Sequence, residues 1–408
     1  MVKLTRSAII STKIINKNKR EKLTSLYNKG KELTKKYLNI IWKLETGKYA
    51  GKDLYIKVES TMTARFKQLC CMKALAMKRS ITAKIKKKQY IIDKLKKENI
   101  KFKKNKKKKE IRAKNKLNIK NLQKIIKTLN KKPTLNDFSL DLNANFIKID
   151  ENATTAKKYK NWITVSSSGK TFNTNLPFIK TKPFNKWKEK GKLSQFISVD
   201  KDNLIKVVFT LETPKKKKNG LIIGCDIGLN NVYSFSNKIT SSPNNHGYDL
   251  PYIHRKICKT KPNSVNCKQT LEHRDNYIRN SINLIDFSKI KTLVVEDISY
   301  LRYKKKGISR YLSSWRYALI FSKLESRCEE EGVEIIKVNP CNTSRRCYKC
   351  GWVSINNRNV KVAKKFKCCK CKHSADADVN AAKNIKYIRN KKEIKSNTKS
   401  GFYFNLDL

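Results

Sequence analysis

Acidic residues are few in this chain of 408 residues. It contains 32 Asp and Glu against 95 Lys and Arg, which gives a formal net charge of +63 at pH 7. Repulsion among so many like charges destabilises a folded chain, so the composition excludes an ordinary soluble metabolic enzyme and predicts a polyanionic partner. A lysine-rich surface contacts phosphates as point charges, so we expect strong, salt-sensitive and largely sequence-independent binding of nucleic acid.

Long apolar runs are also missing. No run approaches the ~18 residues that indicate a membrane-spanning helix, and residues 1–10 lack the apolar stretch of a secretory signal peptide. The chain is therefore expected to be intracellular, with no membrane and no small-molecule substrate as partner. We expect it in the nucleus if the host is eukaryotic and in the cytoplasm otherwise. Histidine is scarce, with 4 residues, which disfavours histidine-centred catalysis.

The 12 cysteines are unevenly spread, because six of them fall between Cys341 and Cys371. In a reducing compartment, clustered cysteines indicate metal ligands rather than disulfides. Two C-x2-C pairs separated by seventeen residues predict a structural site for one Zn²⁺ with four thiolate ligands. The predicted ligands are Cys347, Cys350, Cys368 and Cys371. Cys341 and Cys369 fall outside this spacing, and His373 is a weak substitute ligand.

Lysine-rich segments with helical spacing fill the first third of the chain. A first helix is predicted over 21–44 and a second over about 56–77. The stretch 78–132 then predicts two helices in a hairpin, with the basic run 103–109 as a loop. These helices are a solvated pair, a basic lobe that grips a duplex, or both.

After the helices the pattern becomes strand-like. Period-two alternation, with turn residues between the runs, predicts antiparallel strands at 146–149, 162–165, 196–199 and 204–209. The stretch 213–220 is predicted to be a linker, and its lysine run is also a candidate nuclear import signal.

The sequence pattern changes again at residue 221. Short continuous apolar runs at 221–225 and 293–295 are suited to strands that are buried on both faces. With an amphipathic helix over 315–331 and a third strand over 333–338, they predict an α/β domain.

Two carboxylates directly follow the apolar runs. Asp226 ends the first run and Glu296 ends the second, and an acid in this position is costly to bury unless it is paired or bound to a metal. A third acid, Asp378, begins a helical segment. Each acid alone is also consistent with a helix cap or a turn residue. Together, in so basic a protein, they predict a site that holds two Mg²⁺ ions and hydrolyses phosphodiesters.

The order of motifs over 220–386 resembles a known family. The chain contains G-x-D-x-G-x-N-N, V-V-E-D, a Trp-bearing helix, C-x2-C-G, C-x2-C and D-x-N-A-A-x-N-I in that order. This order resembles TnpB, the transposon-encoded relative of the type V CRISPR nucleases, and its eukaryotic and viral counterparts, called Fanzor. The resemblance implies an RNase H-like (RuvC) nuclease with an inserted zinc ribbon. It also implies that Asp226, Glu296 and Asp378, rather than Asp376, are the catalytic acids.

The resemblance also implies partners. The family uses a guide RNA to direct cleavage of target DNA beside a short flanking motif, with base pairing reading the sequence and the protein reading the flank. The stretch 241–290, between the first two acids, looks shorter than in the family. The long basic helices that are usual there are therefore expected to be trimmed.

The expected fold class is α+β and multidomain, with an RNase H-like α/β nuclease domain that carries a zinc ribbon with four cysteine ligands. A β-barrel-like wedge domain and a basic helical recognition lobe are expected before it. The expected segments are a first wedge segment (1–20), the recognition lobe (21–132), the wedge domain (133–219), the first part of the nuclease domain (220–340), the zinc ribbon (341–375), the last nuclease segment (376–390) and a C-terminal tail (391–408).

Three hypotheses about function remain open at this point. An RNA-guided DNA endonuclease, with two catalytic Mg²⁺ and one structural Zn²⁺, agrees with all the motifs. A guide-independent nuclease or transposase would use the same three acids. A catalytically silent nucleic-acid-binding relative would need none of them, so the presence of all three argues against it.

Overall fold

The described residues of the computed structural model are 3–44, 58–103, 109–153, 158–167, 172–298, 309–357 and 364–390. The chain divides between Glu212 and Thr213 into two units. Most of the predicted loop 103–109 and the whole of the predicted tail 391–408 lie outside the described residues.

The first unit contains long lysine-rich helices. Its helices are α1 (Lys17–Lys43), α2 (Ala64–Lys101), α3 (Lys109–Leu129) and α4 (Lys182–Lys190). α1 begins after Asn16, whose Oδ1 accepts a hydrogen bond from the Lys19 N–H at 3.0 Å, and it buries an apolar stripe that runs from Leu23 to Ile41. The first predicted helix is therefore confirmed, with a start four residues earlier.

The second predicted helix has different bounds in the structure. α2 begins after Thr63, whose hydroxyl accepts a hydrogen bond from the Phe66 N–H, so residues 58–63 of the predicted helix are not helical; 56 and 57 lie outside the described residues. It continues without a break to Lys101, because it contains no Gly or Pro and lysine is a good helix former. The sequence predicts two helices where the structure has one. α2 and α3 pack against each other, which confirms the helical hairpin.

The strands of the first unit form two antiparallel sheets, ordered β1-β7-β6-β2 and β3-β4-β5. Their bounds are β1 (Lys3–Ile10), β2 (Leu140–Asn143), β3 (Ile147–Glu151), β4 (Asn161–Ser166), β5 (Asn173–Pro177), β6 (Lys192–Val199) and β7 (Ile205–Glu212). The four predicted antiparallel strands are confirmed. Sequence reasoning missed the short strands β2 and β5, and it missed α4.

The core of the first unit lies between its helices and its sheets. Phe66 of α2 meets Phe146, just before β3, edge to face with ring centroids 5.8 Å apart, and both side chains are fully buried. Tyr27 of α1 donates its hydroxyl to the Phe138 carbonyl at 3.0 Å. Most lysines of α1 and α2 are exposed, whereas Lys73 is partly buried and pairs with Asp141 at 2.6 Å.

The main sheet of the second unit has the order β11-β10-β8-β9. Its strands are β8 (Leu221–Asp226), β9 (Ser234–Phe235), β10 (Ile290–Glu296) and β11 (Glu334–Val338). β10 is parallel to both β8 and β11, whereas the short β9 is antiparallel to β8. The two predicted buried strands, β8 and β10, and the third predicted strand, β11, are confirmed, and the parallel pairing of β8 and β10 fits their continuous apolar runs.

Helices and a small hairpin complete the second unit. They are α5 (Leu250–Lys259), α6 (Val265–Asn283), α7 (Arg310–Ser313), α8 (Tyr317–Glu330), the hairpin β12 (Lys365–Lys367) and β13 (Ser374–Asp376), and α9 (Ala377–Ile388). α8 is the predicted amphipathic helix. α5 and α6 occupy the stretch 241–290 with helices of 10 and 19 residues.

The predicted linker 213–220 has no regular secondary structure, as expected, but it is fixed to the second unit. Lys217 donates its ammonium group to the carbonyls of Phe287 and Ser288 at 2.6 and 2.9 Å, and its backbone N–H to the Gly332 carbonyl at 2.8 Å. A side chain at Gly332 would meet the Lys215 carbonyl at 2.6 Å. A nuclear import receptor that bound the lysine run 215–218 would have to compete with these hydrogen bonds of Lys217.

Candidate functional site

Asp226 and Glu296 lie at the carboxyl ends of neighbouring parallel strands. In the register of β8 and β10, Cys225 is opposite Val295 and Gly224 is opposite Val294. The two acids follow these pairs, and successive residues of a strand alternate between its faces. Both carboxylates therefore leave the sheet on the face that carries Gly224 and Val294.

Helix α9 covers that same face. A Cβ at Gly224 would lie 2.0 Å from the Ala382 carbonyl oxygen and 2.7 Å from the Lys386 nitrogen, so only glycine permits this approach of strand and helix. Val294 packs in one apolar cluster with Ile385 and Ile388 of the helix. The helix axis is thus held directly against the end of the sheet where the two acids lie.

The third acid, Asp378, belongs to the first turn of α9, one turn before Ala382. Its side chain is 6% exposed, and its Oδ2 accepts a hydrogen bond from Asn231 Nδ2 at 3.1 Å. The helix cap is Asp376, whose Oδ1 accepts from the N–H groups of Asp378 and Val379 at 3.0 and 2.9 Å. The alternative interpretation of Asp378 as a helix cap is therefore wrong.

The structure brings the three predicted acids to one edge of the parallel sheet without clustering all their oxygens. Among the described residues, only the cysteine group has three or more potential ligand atoms within 4.8 Å of one another. The charges of Asp226 and Glu296 nevertheless act together on Cys225, the residue of β8 that precedes Asp226. Burial raises the pKa of its thiol well above the usual value, and the two carboxylates raise it further.

The donor set at this edge consists of hard oxygen ligands. The three carboxylates are accompanied by the amide of Asn231 and the hydroxyl of Thr343, which lies 2.5 Å from Glu296 Oε1. Asn231 Nδ2 and the Thr343 hydroxyl both donate to these carboxylates, and carboxylate oxygens suit Mg²⁺ or Mn²⁺ and not soft metals. The residues present therefore fit divalent cations of the kind that the sequence predicts.

The four predicted zinc ligands form one cluster. Cys347 Sγ lies 3.8 Å from Cys371 Sγ, and Cys350 Sγ lies 3.6 Å from Cys368 Sγ. Four sulfurs arranged tetrahedrally at ~2.3 Å from one zinc ion are roughly 3.8 Å apart. His373 is not part of the group, and instead its ring packs edge to face on Tyr348 at 4.9 Å.

The two halves of the cluster have the same backbone design. After each C-x2-C pair comes a residue with positive φ, Gly351 at 77° in the first and Lys372 at 58° in the second. In each, the N–H of that residue donates to the carbonyl of the first cysteine, at 2.9 Å for Gly351 and 3.0 Å for Lys372. These turns fix the cysteines by local hydrogen bonds. The four thiols are thereby held ready for a metal.

Two asparagines of α9 attach the first cysteine turn to the helix that carries Asp378. Asn380 donates to the Arg346 carbonyl at 2.9 Å, and its Oδ1 accepts from the Tyr348 N–H at 3.1 Å. Asn384 donates to the carbonyls of Thr343 and Arg346 at 2.8 and 2.6 Å. Both asparagines are fully buried.

Sequence reasoning missed the functions of these polar residues. The motif D-x-N-A-A-x-N-I is visible in the sequence, but no role is assigned there to Asn380 and Asn384. Their spacing of four places both on one face of a helix, and two amides on one otherwise apolar face indicate a buried polar contact. Nothing in the sequence signals Thr343 as a neighbour of Glu296.

Lysine side chains dominate the long helices of the first unit. Most lysines of α2 after residue 77 and most of α3 are exposed, and few acids accompany them. The surface of this hairpin is therefore strongly positive, as a phosphate-binding surface requires. No helix in the described ranges has the length and apolar character needed to cross a membrane.

Residues 317–385 match a family model described as the Cas12f1-like TNB domain. The matched range extends from α8 through the cysteine cluster to α9. Sequence relatives include the CRISPR-associated endodeoxyribonuclease Cas12f1 of Sulfoacidibacillus thermotolerans, 36% identical over 121 residues, which are 30% of this chain and 27% of that protein. Cas12f1 of an uncultured archaeon is 34% identical over 119 residues, 28% of this chain and 21% of that protein. The chain thus spans about a quarter of the length of the curated relatives it matches.

Two solved structures resemble the chain over most of its length. One is the mini-RNA-guided endonuclease CRISPR-Cas_phi3, with a TM-score of 0.51, 10% identity, and coverage of 97% of this chain and 93% of the other. The second is CasPhi-2 (Cas12j) bound to crRNA and phosphorothioate-DNA, with a TM-score of 0.51, 9% identity, and coverage of 96% and 92%. At these identities the likeness concerns the fold alone. It shows a mixed α/β multidomain fold like that of these two structures.

The matches in sequence are more specific than the likeness in fold. Over residues 317–385 the chain is similar to Cas12f1 proteins, which supports the resemblance that the order of its motifs predicts. The regions that carry this relationship are the thiol cluster and the helix that bears Asp378.

Proposed function

We propose that this protein is an RNA-guided DNA endonuclease of the TnpB/Fanzor type that hydrolyses phosphodiesters at Asp226, Glu296 and Asp378. The observation that carries the proposal is the convergence of these acids from two parallel strands and one helix on a single sheet edge. The relatives that match in sequence are named endodeoxyribonucleases, which supports the same reaction class.

The strand pairing and one side-chain hydrogen bond position the three acids. The parallel register fixes the Cα atoms of Asp226 and Glu296 side by side, and Asn231 fixes one oxygen of Asp378. Two Mg²⁺ ions held by these acids would stabilise the attacking and leaving oxygens of an in-line displacement. The thiol of Cys225 stays protonated near neutral pH, because burial and the nearby carboxylates raise its pKa. Its side chain also lies on the face of β8 opposite to that of Asp226, away from the carboxylate site.

The proposed partners are a guide RNA and a target DNA. The net charge of +63 and the lysine-covered hairpin of α2 and α3 supply the positive surface that both polyanions need. In this proposal 21–132 is the recognition lobe, 1–20 and 133–219 form the wedge domain, and the second unit is the nuclease with its zinc ribbon. The motif order supports an origin in a transposable element. For a eukaryotic host the proposal places the protein in the nucleus, and otherwise in the cytoplasm.

The test begins with RNA that copurifies with the protein when it is expressed beside its native flanking DNA. We expect one dominant RNA with a constant part and a variable 3′ end. A DNA that matches the variable part should then be cut in the presence of Mg²⁺, and prior RNase treatment should abolish the cutting. The Asp226→Ala variant should retain RNA binding within a few-fold and lose cleavage.

The alternatives give different results in the same experiment. Mg²⁺-dependent cutting that survives RNase and needs no matching sequence would indicate a guide-independent nuclease or a transposase. Bound nucleic acid without any cutting would indicate a silent binding protein. Normal cutting by the Asp226→Ala variant would refute the proposed active site.

A further inference from the structure

The segment 340–346 connects the end of β11 to the first zinc-binding cysteine and passes the carboxyl end of β10. Its Thr343 is 2% exposed, and the hydroxyl oxygen lies 2.5 Å from Glu296 Oε1 and 3.0 Å from the Pro340 carbonyl. A hydroxyl has one proton to donate, and a carboxylate at the shorter distance is the stronger acceptor. Thr343 therefore donates to Glu296.

Thr343 is itself held by the helix that carries the third acid. Asn384 donates its amide to the Thr343 carbonyl at 2.8 Å and to the Arg346 carbonyl at 2.6 Å. The Oδ1 of Asn384 accepts in turn from Arg346 Nη1 at 2.8 Å. Since Asn384 is fully buried, this amide has a fixed position. A continuous set of hydrogen bonds thus runs from α9 through Thr343 to Glu296.

We propose that Thr343 is the positioning residue for Glu296. Glutamate has one more rotatable bond than the two aspartates of the site, so its carboxylate needs an additional restraint to stay in a ligand geometry. The Thr343 hydroxyl fixes Oε1, and Asn384 fixes Thr343. Through this contact the segment that leads to Cys347 also supports the carboxylate site. The inference rests on the proposed function for the identity of the ligand, a divalent cation.

Thr343→Val removes the hydroxyl and keeps the branched shape, while Thr343→Ser keeps the hydroxyl. The chain offers a matched control in Thr292 of β10, which is 1% exposed and whose hydroxyl lies 3.5 Å from Glu334 Oε2, a carboxylate outside the site. Mn²⁺ binding to each zinc-loaded full-length protein is measured by electron paramagnetic resonance, without nucleic acid. Cleavage is then measured against Mg²⁺ concentration, together with zinc content and melting temperature.

We expect Thr343→Val to weaken Mn²⁺ binding by about 10-fold and to raise the Mg²⁺ requirement for cleavage by a similar factor, since loss of a group that orients a metal ligand has effects of this size. Zinc content and melting temperature should stay at the wild-type values. Thr343→Ser should restore most of the affinity, and Thr292→Val should bind Mn²⁺ as the wild type does.

Three results would overturn the inference. They are unchanged Mn²⁺ affinity in Thr343→Val, equal loss in the Val and Ser variants, and no Mn²⁺ binding by the wild type. A wild type that binds Mn²⁺ but never cuts DNA would refute the proposed function. The Mn²⁺ affinities of the wild type, Thr343→Val and Thr343→Ser would still decide the role of Thr343. Failure of the two ideas is therefore distinguishable.

Discussion

The second unit contains two candidate metal sites that are built in opposite ways. The four thiols lie on two turns with the same hydrogen-bond pattern, and their sulfurs already have the separations, 3.6 and 3.8 Å, that a tetrahedral ion needs. The three carboxylates come from β8, β10 and α9, and their oxygens do not form one cluster within 4.8 Å among the described residues.

The difference shows what each site is suited to do. A closed set of four ligands leaves no position for a substrate, so metal binding there stabilises the fold. An open set of carboxylates leaves coordination positions for water and for phosphate oxygens, as metal-assisted hydrolysis requires. One site should therefore govern stability and the other activity. Substitutions that separate these two quantities test this comparison.

The largest effect is expected at the carboxylate site, from two neighbouring acids with different functions. Asp378→Asn should reduce guided DNA cleavage by at least about 1,000-fold, because a metal clamp supplies several kcal/mol of transition-state stabilisation and each ~1.4 kcal/mol is a factor of ten. Asp376→Asn should retain cleavage, because asparagine caps a helix as well as aspartate does. Both variants should keep zinc. An equal loss of cleavage in the two variants would contradict the assignment of a catalytic function to Asp378 and of a capping function to Asp376.

The second prediction concerns the thiol site. Cys347→Ser should lower the zinc content from one ion per chain and reduce the melting temperature, because zinc binding stabilises the fold that it requires. Cys369→Ser is the matched control, since Cys369 is exposed and outside the cluster. Atomic absorption and thermal unfolding measure the two outcomes. Unchanged zinc stoichiometry in Cys347→Ser would contradict the assignment of this ligand.

A third prediction tests the contact that places α9 on the sheet. Gly224→Ala should destabilise the protein by about 3 kcal/mol, since the new methyl group would overlap the Ala382 carbonyl and an overpacked core costs this much. Cleavage should fall as well, because Asp378 moves with the helix. Gly228→Ala places its methyl group no closer than 3.5 Å to a neighbouring atom and should cost less than about 1 kcal/mol. Urea unfolding compares the two, and equal stabilities would contradict the close packing.

The smallest effect at neutral pH is expected from a buried histidine outside both sites. Among the described residues neither ring nitrogen of His254 has a hydrogen-bond partner, and the ring packs edge to face on Tyr311. Burial, with a further contribution from Arg274, lowers its pKa from 6.5 to about 4. The unfolded chain binds a proton near pH 6.5 and the folded chain does not. The contribution of His254 to stability is therefore expected to fall by about 3 kcal/mol as the pH drops from about 6.5 to about 4, and to be constant above that range.

His254→Phe should remove this dependence and leave a flatter stability profile below pH 6.5. Unfolding by urea at several pH values between 4.5 and 7.5 provides the measurement. Zinc content and cleavage at pH 7.5 should match the wild type. If the free energy of unfolding of His254→Phe fell with decreasing pH as steeply as that of the wild type, groups other than His254 would cause the loss of stability.

Patterns within short segments predicted much of this structure. The apolar runs at 221–225 and 293–295 predict buried strands, and the acids that follow them are found side by side because parallel strands end at one edge. The C-x2-C pairs predict the thiol cluster for a similar reason, since each pair forms a local turn. In these cases the residues that determine the geometry are close together in the sequence.

Contacts between distant segments were not predictable in this way. The end of α2 was misplaced, because lysine-rich sequence after residue 77 is compatible with one long helix or with two. Asn384 donates a hydrogen bond to the Thr343 carbonyl, and these two residues are 41 positions apart in the sequence. No local periodicity predicts a contact over this separation. Asp376 is the N-cap of α9 and Asp378 lies in its first turn. Which of the two acids is the cap depends on the backbone geometry at the start of the helix.

The contact of Gly224 with α9 has a consequence for the time course of synthesis. The ligands Cys347 and Cys371 are separated by 24 residues, so the thiol site can close soon after its last cysteine leaves the ribosome. Asp226 and Asp378 are separated by 152 residues, which take roughly 8–30 s to translate at ~5–20 residues per second. Throughout this interval the face of β8 around Gly224 lacks its covering helix. The nascent chain therefore carries an uncovered strand face and no complete set of acids until α9 emerges.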